Sequence, residues 1–68
     1  MEKWQKVFES AILIRAEIVK GVLLEHDITA IVLNKKESVY QLHGSYHVMV
    51  TSENALEAVN IIKNEISF

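Results

Sequence analysis

The polar residues best placed to hold a ligand lie between two apolar runs, in the segment Asn34-Lys35-Lys36-Glu37-Ser38 and at Tyr40 just beyond it. Two ammonium groups, an amide and two hydroxyls in one loop could hold a small anion, a carboxylate or a phosphate, through charge-assisted hydrogen bonds. The plainer reading is a solvated hairpin tip whose turn is stabilised by the Asn34 side chain. Two features bear on the choice. The connection from Asn34 to Ser45 is twelve residues long, which is unusual for a hairpin without a job. Against a ligand, the segment lacks the glycine-rich backbone cradle that phosphate sites favour.

The histidines make a weaker case for chemistry. His43 and His47 on one extended strand would stand about 13 Å apart, too far to share a metal ion. A turn at Gly44-Ser45 could bring them together, but two histidines without a carboxylate are an incomplete set. His26, next to Asp27, reads as a helix-end residue favoured by the negative pole of the helix dipole. No metal and no cofactor are therefore expected. Nucleophilic catalysis would fall to a serine, because the chain has no cysteine. Ser38 and Ser45 have His43 nearby in sequence, yet no nucleophile elbow and no orienting acid accompany them. Glu53, Glu57 and Glu65 read as the solvent face of a helix. The expectation is a protein that is not an enzyme.

Phe8 and Tyr46 could stack bases as aromatic side chains do in RNA-recognition modules, or they could be ordinary sheet packing. Charge favours the second reading. The formal net charge is −2 and the isoelectric point near 5.8, whereas nucleic-acid binding usually needs a basic surface. Trp4 reads as an interface anchor or a cover over the sheet. No apolar run is long enough to span a bilayer, and Met1–Lys6 lacks a secretory apolar stretch. No membrane association and a cytoplasmic location are expected.

The elements that must position these residues are short. With 68 residues and no proline, the chain is read as one domain, 1–68, without linkers or repeats. A domain of that size buries only about 60% of its unfolded surface. Disulfides cannot supplement its core, so oligomerisation is the usual remedy. Lys3–Glu9 alternates as a strand, with Trp4, Lys6 and Phe8 on one side and Gln5, Val7 and Glu9 on the other. Ser10 offers an N-cap for a helix running to about His26, with Ile12, Ala16, Val19, Val22 and Leu23 on its apolar face. Arg15 falls inside that arc, a conflict that eases if residues 11–14 are partly loop. Gly21 in mid-helix costs roughly 1 kcal/mol against alanine, which suggests a close backbone contact there. Ala30–Leu33 is a strand apolar on both sides, and Tyr46–Thr51 a second, alternating one. Ser52 then caps a helix from about Glu53, whose stripe is Ala55, Ala58, Val59, Ile62 and Ile66.

The order strand, helix, strand, strand, helix implies a two-layer α+β sandwich. A right-handed crossover leaves the first two strands parallel, and the third inserts antiparallel between them. Both helices then cover one face of a three-stranded antiparallel or mixed sheet. This is the ferredoxin-like plan with its last strand missing, and it leaves the first strand as an open edge.

Lys6-Val7-Phe8-Glu9-Ser10, then Ala16–Leu23, then Val32-Leu33-Asn34-Lys35-Lys36-Glu37-Ser38 with Tyr40 and Gly44, resemble a family of small prokaryotic signal-transducing proteins. That family comprises bacterial domains of unknown function with PII-like and ferredoxin-like kinship. The resemblance spans nearly the whole chain and is most specific at the asparagine–lysine run. It implies a regulatory or ligand-sensing role, with no catalytic signature. The chain departs from the family at Asp27, where glycine is usual, so a locally different helix end is expected. Together these readings point to a small regulatory domain acting through self-association, a dimer being favoured, and through protein interaction at its sheet. The alternative is a sensor of small anions at Asn34, Lys35, Lys36, Ser38 and Tyr40.

Overall fold

The computed structural model describes residues 3–35 and 45–68. Its elements are strand β1 (Trp4–Ser10), helix α1 (Leu13–Glu25), strand β2 (Ala30–Asn34), strand β3 (Tyr46–Thr51), a 3-10 turn (Ser52–Asn54) and helix α2 (Ala55–Glu65). The strand order is β1-β3-β2, and β3 is antiparallel to both neighbours. The α+β plan expected from the sequence is therefore observed. Among the described residues every strand pairing is antiparallel, the first of the two arrangements expected. The smallest dimension of the fold is 14 Å, the depth of two layers. Among the described residues, no helix is long and apolar enough to cross a membrane.

Val48 and Val50 of β3 and Ala30 of β2 face the helices, where Ala16, Val19 and Leu23 of α1 and Ala58 and Ile61 of α2 meet them. Ile28, just before β2, completes this buried cluster. The α2 stripe differs from the expected one by a small rotation. Ile61 is buried, and Val59, assigned inward from the sequence, is largely exposed.

β1 departs more sharply from its pattern. Lys6 lies opposite Met49 and Phe8 opposite Val48, so Val7 is an extra residue, a β-bulge. Regular alternation would put Val7 and Phe8 on opposite faces, but with the bulge both pack against the core. Phe8 therefore does not share a face with Trp4 and Lys6. The strand accommodates two consecutive apolar residues inside at the cost of one unpaired position.

Helix α1 starts later than its sequence suggests. Ser10 belongs to β1, and its Oγ accepts a hydrogen bond from the Ile12 N–H at 3.0 Å, closing a tight local turn. Ile12 occupies the N-cap position without a side-chain cap. Arg15 consequently sits in the first turn, with its guanidinium 5.0 Å from the centroid of the Phe68 ring. Phe68 in turn meets Phe8 at 5.9 Å between ring centroids. This cation–π contact is what an arginine gains by standing at the edge of an apolar arc. Ser52 is likewise not a cap. Its N–H and Oγ both donate to the Lys3 carbonyl, at 2.8 and 3.2 Å, extending the β1–β3 ladder. The 3-10 turn intervenes before α2 begins.

The end of α1 keeps the geometry that a glycine would normally supply. The Ile28 N–H donates to Leu23 O and the Asp27 N–H to Leu24 O, both at 3.0 Å, with Asp27 at φ 62°. This is a Schellman motif, and buried Ile28 and Leu23 form its hydrophobic contact. The helix end thus does not differ locally; Asp27 itself adopts the left-handed conformation. Gly21 has no close neighbour either, because a Cβ built there would meet nothing within 4 Å.

Two stability predictions follow from these backbone positions. Gly21→Ala should stabilise the fold by about 1 kcal/mol through helix propensity alone; no gain in urea midpoint would mean that the site is crowded. Asp27→Gly should stabilise by about 1 kcal/mol by relieving the left-handed strain, and Asp27→Val should destabilise. The same denaturation series checks both signs.

Candidate functional site

The face of the sheet away from the helices carries the residues that a partner could reach. Alternation and register place Ile31 and Leu33 of β2 there, beside His47 and Met49 of β3 and Trp4, Lys6 and Glu9 of β1. Ile31, Leu33 and Met49 are half-buried, and Trp4 is exposed. The result is an apolar centre with a polar cluster at one end.

Glu9 is the hub of that cluster. Its Oε1 accepts a bond from Lys6 Nζ at 2.7 Å, and its Oε2 accepts one from Ser45 Oγ at 2.7 Å. His47 Nε2 stands 3.5 Å from the same Oε2, a contact that becomes an ion pair when the imidazole is protonated. The bulge is the reason Lys6 and Glu9 can meet. Three apart on a regular strand, they would point to opposite faces.

The hydrogen bond from Lys6, then that from Ser45, then the Lys6 charge hold the Glu9 carboxyl well below its ordinary value of 4.5, at about 2. A carboxylate so stabilised, with both oxygens engaged, is a poor general base near neutral pH. The Ser45 hydroxyl donates its hydrogen bond to that carboxylate rather than to an imidazole, so the trio is not arranged as a nucleophile–base–acid relay. The cluster is suited to fixing side chains at the rim of the apolar centre.

The residues singled out from the sequence scatter. Asn34 lies opposite Tyr46 on the helix side. The Lys35 N–H continues the ladder to Ser45 O at 2.7 Å, and the extended chain sends consecutive side chains to opposite faces. Asn34 and Lys35 therefore diverge. Lys36, Ser38 and Tyr40 lie outside the described residues, as does His43. Phe8 and Tyr46 both face the helices and pack against the core, so neither is on the open face where bases would stack. His26 is the C-cap of α1, as expected, and its Nε2 lies 2.7 Å from Glu65 Oε2 at the end of α2. Among the described residues, no three His, Asp or Glu side chains form a group able to hold a metal ion. Sequence reasoning missed the Glu9 cluster, since without the bulge Glu9 falls on the wrong face.

The sign of the Glu9 effect can be measured. A carboxyl lowered on folding contributes stability that is present above pH 4.5 and is lost as pH falls toward 2. A carbon-13 titration of the Glu9 carboxyl should give a midpoint near 2, and Lys6→Met or Ser45→Ala should each move it upward. A wild-type midpoint at 4.5 would refute the cluster. Among known proteins, no family model, no curated protein and no solved structure matches this chain.

Proposed function

We propose that this chain is a small non-enzymatic regulatory domain of the signal-transducing type, acting in the cytoplasm through self-association and protein contact at its sheet. One observation carries the reading. Among the described residues, nine large apolar side chains are at least 42% exposed, and the buried core also numbers nine, three of them alanines. Ile14 at 67% and Leu56 at 75% stand on helix surfaces that water alone would not favour. A helix with apolar residues all round, as α1 has, is normally covered on more than one side. Contiguous exposed apolar surface generally marks an interaction site. The resemblance to small prokaryotic signal-transducing proteins supports the regulatory part, and the engaged Glu9 carboxylate fits a surface built for contact.

Light scattering after gel filtration, run from micromolar to millimolar chain concentration, tests the proposal. The apparent mass should rise toward that of a dimer. A strict monomer at the highest concentration would overturn self-association.

A further inference from the structure

Both edges of the sheet are open among the described residues, but they are not equivalent. The hydrogen-bond parity of each strand follows from one bond. Because Lys35 N–H donates to Ser45 O and Ala30 lies opposite Val50, residues 31, 33 and 35 bond to β3. Ala30, Val32 and Asn34 therefore direct their N–H and C=O groups outward, at an uninterrupted two-residue repeat. On β1, the Ser52 N–H to Lys3 O bond sets the opposite edge. Its outward positions are Trp4, Lys6 and then Glu9, because the bulge at Val7 breaks the repeat. Lys6 and Glu9 add charge to that edge. A bulge and inserted charges are the usual devices that keep an edge strand from pairing. β2 has neither, and its sequence Ala-Ile-Val-Leu-Asn contains no charge.

We infer that the self-association proposed above, on which this inference rests, occurs by antiparallel pairing of β2 with β2 of a second copy, about a two-fold axis at Val32. In that register Val32 meets its own symmetry mate and Ala30 meets Asn34. The outward N–H and C=O groups of all three residues then find partners. Ile31 falls opposite Leu33 on the open face, in the close, non-hydrogen-bonded kind of pair. The absence of charge matters because a two-fold axis brings like residues close together. The product is a continuous six-stranded sheet with both helical layers on one side. α1 packs on β2, so α1 and its mate flank the seam.

Size sets the strength. Five paired residues span about 17 Å, and with a 14 Å depth the flat seam is roughly 240 Å² per partner. That is well under the standard interface, so the dimer is a weak, concentration-dependent one.

Amide hydrogen exchange by NMR across a concentration series tests the seam. The amides of Ile31 and Leu33, already bonded to β3, should be protected at every concentration. Those of Ala30, Val32 and Asn34 should become protected only as dimer forms. Val32→Pro removes an outward donor without touching a bond to β3 and should weaken dimerisation about tenfold or more. A dimer whose Val32 amide stays unprotected, or one that Val32→Pro leaves intact, would overturn this seam while self-association stood. A monomer throughout would overturn both. Should Val32→Pro fail to fold, the exchange pattern of the native chain decides alone.

Discussion

The extra residue at Val7 is the constraint on which the rest of this structure depends. The small core needs both Val7 and Phe8, and a regular strand can offer only every second residue to it. Inserting one unpaired position lets both face the helices. It also shifts Glu9 onto the open face, opposite His47 and within 2.7 Å of Lys6. The polar cluster and the packing of β1 thus have a single cause. Phe8, turned inward, becomes the platform for Phe68, and Phe68 becomes the platform for Arg15. A contact at the C-terminus therefore depends on a register shift in the first strand.

The same economy governs the helix ends. Neither helix has a side-chain N-cap bond, and the serines placed for that role are used elsewhere. Ser10 closes the turn out of β1, and Ser52 ties the end of β3 to Lys3. At the other end of α1, the buried pair Leu23 and Ile28 supports a left-handed Asp27 that local preference would not choose. Tertiary burial here overrides local propensity, as is expected where few contacts must define the whole fold.

What could be read from the sequence follows from periodicity. The element order and the antiparallel insertion of β3 between β1 and β2 were legible, because strand and helix periods differ and the chain has few residues to spare for loops. The faces were less so. Trp4-Gln5-Lys6-Val7-Phe8-Glu9 alternates in a single phase on paper, and nothing local announces a slip of one residue. A rotation of α2 exchanges Val59 for Ile61, which flank Ala58 on a helical wheel at about 100° on one side and about 60° on the other. Gly21 invited a packing explanation that the open space around it does not support. Of the loop residues considered for an anion, Asn34 and Lys35 belong to the β2–β3 ladder and its continuation, and an extended chain separates their side chains.

The bulge also decides what kind of edge each strand presents. A three-stranded sheet must end on both sides, and an open edge invites pairing unless something spoils its repeat. On β1 the repeat is spoiled by the residue that completes the core, so folding and protection of that edge come from one insertion. β2 has no such double use. It is short and uncharged, with its outward groups in regular order, and its inner face is committed to Ala30 and Val32 against the core. An asymmetry of edges of this kind gives association a direction: a copy that adds to the sheet has one regular strand to meet. Pairing that edge with its symmetry mate closes it, whereas pairing it with β1 would leave a further regular edge free and propagate. If the proposed pairing forms, the bulge, by disfavouring the second route, would limit growth to two copies.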